Sequence, residues 1–386
     1  MTTALWRDCK LGDVITLKRG YDLPHQHRSP GPFPIVSSSG ITDYHAEAKV
    51  KGPGVVTGRY GTLGAVYYVE GDFWPLNTSL YVRDFNGNDP RFIAYFLQTM
   101  SFASQNAAGA VPGVNRNHLH AMEVRVPILA VQRRIAEVLS AYDGLIENCQ
   151  RRIRILEEVA RALYREWFVL FRYPGHENVP LVSSPLGEVP KKWAIVALAD
   201  LTDLISRGIA PRYAEDGPSI VINQKCIRDQ RLNLGPARRQ QKPIPSDKLV
   251  RVGDVLINST GVGTLGRVAQ VLSAVEACTV DTHVTIVRPK AGTDPDYFGV
   301  ALLSLESSFE RMGIGATGQT ELGRGAIGAV ELCVPPRELS VRFGELVRPM
   351  RAESDVLSRR IENLRKTRDL LLPRLLSGKI GLEDVG

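Results

Sequence analysis

The chain has 386 residues, 44% of them apolar and 23% charged, an ordinary globular composition that excludes a disordered, collagen-like or wholly coiled-coil protein. At ~150 residues per domain it makes two or three domains, each able to bury a core without disulfide or metal staples. Its 48 basic residues against 41 acidic ones leave a formal charge of +7, which suits a polyanionic partner but is also met where lysines are simply solvated.

No run of ~18 apolar residues is present to cross a membrane. Residues 1–10 lack the apolar core of a signal peptide. Cys9, Cys149, Cys226, Cys278 and Cys333 lie far apart with no C-x-x-C, as suits a reducing compartment. A cytoplasmic location is expected.

In chain order, residues 1–128 read as a globular stretch rich in Gly, Pro and short apolar runs. Strands are predicted at 55–57 and 65–69, and Asp89-Pro90 predicts a short helix over 90–100. Residues 129–172 read as a long helix. Ile135, Leu139, Tyr142, Ile146, Cys149, Ile153, Leu156, Ala160, Leu163, Trp167 and Leu170 recur at alternating steps of four and three, with no proline. That 3.5-residue period predicts a coiled-coil seam; the alternative is one long helix of an ordinary bundle. Residues 173–192, with Pro174, Gly175, Pro180, Pro185, Gly187 and Pro190, read as an aperiodic linker.

Residues 193–336 read as a second globular stretch, with strands at 254–257 and 284–287 and a helix over 295–305. Residues 337–386 are a second long helical region. Its seam runs through Phe343, Val347, Met350, Ser354, Leu357, Ile361, Leu364, Arg368, Leu371 and Leu375. Pro349 and Pro373 remove backbone donors, so a break is expected near Pro349 and a kink or end near Pro373. The expected fold is α+β: two similar globular domains and two long helices that pair as an intramolecular coiled coil.

The halves repeat. Leu11-Gly12-Asp13-Val14 with Lys18-Arg19-Gly20 matches Leu198-Ala199-Asp200-Leu201 with Ser206-Arg207-Gly208. Gly61-Thr62-Leu63-Gly64 recurs at 263–266, Asp89-Pro90 at 294–295, Val126-Pro127 at 334–335 and Arg151-Arg152-Ile153 at 359–361. The offset rises from 187 to 208 while the order never changes, as a duplication with insertions in the second copy would give. A period near 200 is too long for a solenoid.

Catalytic motifs are wanting. No phosphate-binding loop, nucleophile elbow or glycine-rich S-adenosylmethionine loop appears. His25-x-His27 and His118-x-His120 lack a third metal ligand and read as solvated loop histidines. Asp43 with Glu47 and Lys49 is too tightly spaced for a nuclease centre. No catalytic and no metal residue is therefore assigned.

A binding surface is more evident. Between 225 and 251, Lys225, Arg228, Arg231, Arg238, Arg239, Lys242, Lys248 and Arg251 face only Asp229 and Asp247. Asn223, Gln224, Gln230, Asn233, Gln240 and Gln241 are interleaved. Arg and Lys pair with phosphates and guanine edges, Asn and Gln with adenine, so the block points to DNA; the alternative is a solvated basic loop. In the first half the counterparts are Lys18, Arg19, Tyr21, His25, His27 and Arg28, then Lys49, Lys51, Arg59 and Tyr60. Arg207 occupies the place of Arg19. Gly58-Arg59-Tyr60-Gly61 and the turn holding Thr260 are matched glycine loops. Asn115 and Arg116, matched by Thr320 and Arg324, form a second loop pair before each long helix.

Together these residues resemble the specificity subunit of Type I restriction–modification systems, over essentially the whole chain. The resemblance rests on Pro127-Ile128-Leu129 with Gln132-Arg133-Arg134-Ile135-Ala136, Leu163-Tyr164-Arg165-Glu166-Trp167-Phe168, Gly187-Glu188-Val189-Pro190 before Trp193, Gly253-Asp254-Val255-Leu256 and the segment 370–380. It implies two target-recognition domains, each reading half of a split double-stranded DNA site, and helices that set the spacing and dock methyltransferase subunits, with restriction subunits joining. It also implies a non-catalytic chain, S-adenosylmethionine, ATP and Mg²⁺ belonging to the partners. The interruptions at Pro349 and Arg368 depart from a regular second arm. A coiled-coil scaffold with domains for other ligands, and an enzyme on duplicated domains, are the other classes considered.

Overall fold

In the computed structural model, which describes residues 5–59, 64–100, 114–314 and 320–381, the chain forms two units. One comprises Met1–Asn148 with Ile361–Gly386, the other Cys149–Arg360. The division cuts both long helices, so each unit holds one globular domain, part of one helix and part of the other.

The first unit opens with β1 (Trp6–Lys10), α1 (Leu11–Val14) and β2 (Thr16–Arg19). Then come β3 (Phe33–Ser37), β4 (Gly40–His45), β5 (Gly54–Gly58), β6 (Val66–Val69), β7 (Trp74–Pro75) and β8 (Ser79–Asp84). They are followed by α2 (Pro90–Gln98), α3 (Arg116–His120), β9 (Glu123–Pro127) and the start of α4 (Leu129–Tyr164). Three sheets result: a four-stranded antiparallel sheet β2-β8-β5-β6, a three-stranded sheet β4-β3-β7 whose β3–β7 pair is parallel, and a closing antiparallel pair β1-β9. β5 is buried along its whole length, as its run of apolar residues requires. Asp89 caps α2 by accepting from Phe92 N at 2.8 Å, and Pro90 takes the first helical position.

The second unit contains β10 (Leu181–Ser184), β11 (Gly187–Pro190), β12 (Ala194–Ala197), β13 (Thr202–Arg207), β14 (Ser219–Ile222), β15 (Ile227–Arg228), β16 (Arg231–Leu232) and β17 (Arg238–Gln240). It continues with β18 (Val255–Asn258), β19 (Val268–Gln270), β20 (Cys278–Val280), β21 (Val284–Pro289), α5 (Pro295–Ser304), α6 (Glu306–Arg311), α7 (Arg324–Gly328) and β22 (Glu331–Val334), then enters α8 (Arg337–Leu376). Its sheets repeat the first plan: β13-β21-β18-β19 antiparallel, β17-β14-β20 with a parallel β14–β20 pair, and the closing pair β12-β22. Asp294 caps α5 as Asp89 caps α2, accepting from Tyr297 N at 2.9 Å. The added segment between β14 and β17 holds the β15–β16 hairpin, which has no counterpart among the described residues of the first unit.

Within each unit the two long helices pack on one another and on the domain. In the first, Ile135, Leu139, Leu375 and Leu376 share a core with Phe92, Phe96 and Leu97, and Arg368 pairs with Asp143 across the helices. In the second, Trp167, Phe168, Phe343 and Val347 share a core with Tyr297 and Phe298, and Arg152 meets Glu353 at 2.7 Å. The pairing is antiparallel in both. Tyr164 is wholly enclosed there, and burial pushes its phenol up to about 12.

Of the seam residues, Ile135, Leu139, Ile146, Ile153, Trp167, Val347, Leu357 and Ile361 are buried. Leu156, Leu163, Leu364 and Leu371 are half-buried. Three expectations need correction. The first helix does not run regularly to 171: α4 ends at Tyr164, Arg165–Val169 form a wider π turn, and Leu170 is exposed. The widened turn swings Trp167 and Phe168 onto Phe343, with ring centroids 6.0 and 5.0 Å away. The second helix does not break at Pro349. That residue lies on the exposed face, so the carbonyl it orphans can meet water while Phe343 and Val347 hold the inner face. Ser354 is polar yet buried, because its hydroxyl donates back to Met350 O at 2.9 Å. The 173–192 stretch is not without structure: β10 and β11 make a hairpin closed by Ser184 Oγ donating to Gly187 O at 2.6 Å, with Gly187 at φ 99°.

Candidate nucleic-acid interface

The register of the first four-stranded sheet gathers basic residues at one end. β2 finishes with Arg19 opposite Leu80, and β5 finishes with Gly58 opposite Ser79. Arg59 continues past the sheet: its N–H donates to Thr78 O and its carbonyl accepts from Val114 N, both at 3.0 Å. The second bond draws in the loop before α3, so Lys18, Arg19, Tyr21, Arg59, Asn115 and Arg116 converge. Lys18 Nζ lies 3.3 Å from the Tyr21 hydroxyl, which lies 3.1 Å from that of Tyr81. The hydrogen bond with Tyr81, aided by the Lys18 ammonium, holds the Tyr21 phenol below its usual range. Tyr60 lies outside the described residues. Asn115 caps α3, accepting from Asn117 N at 3.0 Å.

The second unit builds the same end. β13 finishes with Arg207 opposite Thr285, β18 with Asn258 opposite Val284. Leu322 N donates to Ser259 O at 2.8 Å, the counterpart of the Val114–Arg59 bond, and draws in Thr320 and Arg324. Arg324 opens α7 as Arg116 opens α3, 208 positions earlier. Thr260 Oγ1 is 2.7 Å from His283 Nδ1. Asp281, at the same end, accepts from His283 N at 2.9 Å; burial pushes its carboxyl above the usual carboxylate range.

Several of the residues expected to meet DNA have partners within the protein. Arg28 pairs with Asp43 at 3.1 Å and leans on Leu23 O, which also removes Asp43 from any metal cluster. Arg207 meets Glu321 at 2.7 Å and Leu322 O at 3.1 Å, tying loop to strand. Asn223 caps the turn after β14 and donates to Pro236 O at 2.8 Å. The 225–251 block is not one surface. Arg231 grips Glu157 of α4 with two bonds of 2.6 Å, Lys248 donates inward to Arg207 O at 2.7 Å, and Arg228 sits beside Asp229 at 3.7 Å. Lys225 is exposed on the turn that Asn223 caps.

What remains together is Arg238, Arg239 and Lys242, all exposed on and after β17. They are joined by two residues the sequence reading missed, Arg212 and Tyr213. Tyr213 bridges Gln240, Gln241 N donates to Arg212 O at 3.0 Å, and Lys242 Nζ reaches Ala210 O at 3.4 Å. Tyr213 lies 25 residues before Arg238 and outside the 225–251 block, so only the strand pairing shows that Arg212-Tyr213 belongs there. Of the histidines, His25 and His27 stay exposed, and His120 accepts from Leu17 N at 2.9 Å. Among the described residues no group of three or more His, Cys, Asp or Glu is placed to hold a metal.

Residues 4–158 match the family model described as the Type I restriction modification DNA specificity domain. The chain is 24% identical over 327 residues to the Type I restriction enzyme MjaIX specificity subunit of Methanocaldococcus jannaschii, covering 81% of this chain and 74% of that one. It is 22% identical over 401 residues to the HindI specificity subunit of Haemophilus influenzae, covering 82% and 84%. Its fold matches the crystal structure of a Type I restriction–modification S subunit from M. genitalium with a TM-score of 0.66, at 16% identity and 97% coverage of both chains. Residues 4–158 thus carry the Type I restriction modification DNA specificity domain, and the chain as a whole is similar to Type I restriction specificity subunits. The description of that family model names DNA specificity, and each of the two domains of this chain carries basic residues at the ends of its sheet strands. Among the described residues no helix is long and apolar enough to cross a membrane.

Proposed function

We propose that this chain is the DNA-reading, non-catalytic subunit of a Type I restriction–modification complex. The two recognition domains, 1–128 and 193–336, each read one half of a split double-stranded site. The helical regions 129–172 and 337–386 set the distance between half-sites and dock methyltransferase subunits, two of them by the symmetry of the duplication; 173–192 joins the halves. Restriction subunits complete the complex. S-adenosylmethionine, ATP and Mg²⁺ belong to those partners, and the assembly works in the cytoplasm.

The observation that carries this reading is the repeated construction. Each domain has two strands of its four-stranded sheet ending on the same side, next to the start of a five-residue helix, and each sets an arginine at that helix's first position. Two similar readers on one chain favour two similar half-sites over one continuous site. The test is selection of bound sequences from random duplex DNA by the full-length chain. Two short defined blocks separated by an undefined spacer are expected; one uninterrupted motif, or no enrichment, overturns the reading. Arg239→Ala and Lys242→Ala, if those side chains meet phosphates, lower the slope of log affinity against log salt by ~0.9 each while leaving the selected sequence unchanged.

A further inference from the structure

Arg238 differs from its basic neighbours. Arg239 Nη1 donates to Gly217 O at 2.8 Å, Arg207 holds Glu321, Arg231 holds Glu157 and Lys242 leans on Ala210 O. Among the described residues, the Arg238 guanidinium makes no hydrogen bond or ion pair with the protein. Its carbon lies instead 3.6 Å from the centroid of the Tyr213 ring. At that separation the guanidinium stacks on the ring face, so its N–H donors are free while its plane is held.

The ring that carries it is itself fixed. Tyr213 bridges Gln240, and Ala214 N donates to Arg239 O at 3.1 Å. Gln240 is fully buried and bonds Ser219 Oγ, Lys242 O and Lys242 N with its side-chain amide, which pins the strand beneath. The Tyr213 residue is 39% exposed, and Arg212, Arg239 and Lys242 are exposed on the neighbouring segments.

We propose that Arg238 is a base-reading residue of the second recognition domain, its fork directed at the O6/N7 edge of a guanine, and that Tyr213 is the positioning residue that holds the fork in plane. A phosphate contact needs charge and tolerates a mobile side chain. A guanine edge presents two acceptors in one plane and rewards a donor pair whose plane is already set. The free donors and the held plane of Arg238 fit the second task; Arg239, with one donor held by Gly217 O and no ring beneath it among the described residues, fits the first. This rests on the proposal that the chain binds DNA.

The test uses the full-length chain and four variants, Arg238→Ala, Arg238→Lys, Tyr213→Phe and Tyr213→Leu. Each is given the duplex selected by the parent protein and the same duplex with each base pair changed in turn. The parent should discriminate for G·C at one position of the second half-site. Arg238→Ala and Arg238→Lys should both lose that discrimination, by roughly 5- to 150-fold, at that position alone. Tyr213→Phe keeps the ring and should match the parent; Tyr213→Leu should lose part of the same discrimination with an unchanged melting curve. If Arg238→Ala binds more weakly but keeps the preference, Arg238 is a phosphate contact and the base assignment falls; if Arg238→Lys keeps the preference that Arg238→Ala loses, the planar fork is not what reads the base. If Arg238→Ala loses it but Tyr213→Leu does not, the positioning role falls. If Arg238→Ala binds every duplex as the parent does, both fall. A parent chain that selects no DNA sinks the broader reading instead.

Discussion

Asp254 is almost wholly buried, and both carboxylate oxygens are taken. Arg288 Nε and Nη2 each donate to it at 2.8 Å, Arg251 N donates at 2.8 Å, and Arg288 Nη2 also reaches Leu249 O at 2.7 Å. The bidentate pair fixes the turn that leads into β18. Removing one partner of such a pair strands the other charge in the interior, so Asp254→Ala should cost about 3–5 kcal/mol, read as a lower denaturant midpoint. Asp281 is a different case. Burial raises its carboxyl pKa, so the folded state holds a proton that the unfolded state gives up sooner. Its contribution is full below the unfolded value, near ~4, and is lost as pH rises through the raised folded value. Asp281→Asn keeps an oxygen for His283 N without the charge. Its stability relative to the parent should therefore climb with pH above ~4; a difference that stays flat across that range would show that Asp281 is not strained by burial.

At the scale of elements, the seam is the strongest claim. Ile153 is 1% exposed and Ile361 is 7% exposed, so Ile→Asp at either removes apolar burial and buries a charge. Each should destabilise by several kcal/mol and lower the melting temperature markedly; unshifted melting curves would mean the helices do not pack in this way. The seam was legible because a 3.5-residue period survives substitution along a helix. So were α2 and α5, because Asp-Pro states a cap and a first helical residue in two letters. The π turn at Arg165–Val169 was not legible, since Leu163, Trp167 and Leu170 keep the heptad spacing while Phe343 decides which rings turn inward. Nor was continuity through Pro349, because proline is judged by its lost hydrogen bond, and only the fold shows that the freed carbonyl faces solvent. For the candidate interface, the arginines were visible but their partners were not. Glu157, Glu321 and Asp43 lie 74, 114 and 15 residues from the arginines they occupy, and no local pattern joins them. Gly253-Asp254-Val255-Leu256 was visible as a motif, while the reason for its aspartate, Arg288, was 34 residues away.

The duplication makes its sharpest demand on the molecule as a whole. Residues 1–175 contain one globular domain and one complete long helix. The fold shows that it lacks part of its own core. Leu375 and Leu376, from the far end of α8, pack with Ile135 and Leu139 in the first unit. Subtracting the repeat offset of 208 turns Leu375 and Leu376 into Trp167 and Phe168, which the fragment does carry. In the full chain those two rings pack on Phe343 and Val347, the repeats of Ile135 and Leu139. Two fragments can therefore complete one another, each lending its Trp167–Phe168 end to the Ile135–Leu139 site of the other. The contact is isologous and closes as a dimer about a two-fold axis. The fit is imperfect, because Trp and Phe are larger than the leucines they replace, and overpacking costs about 1–3 kcal/mol. The expectation is a dimer that dissociates on dilution and that selects a palindromic DNA site, the first half-site with its inverted repeat. Trp167→Leu with Phe168→Leu should tighten that dimer, whereas the same pair of changes in the full chain should destabilise the second unit by opening cavities. Mass in solution as a function of concentration, with and without the double substitution, decides the matter. A fragment that stays monomeric, or a dimer that the two leucines weaken, would show that the repeat does not place these ends in equivalent sites.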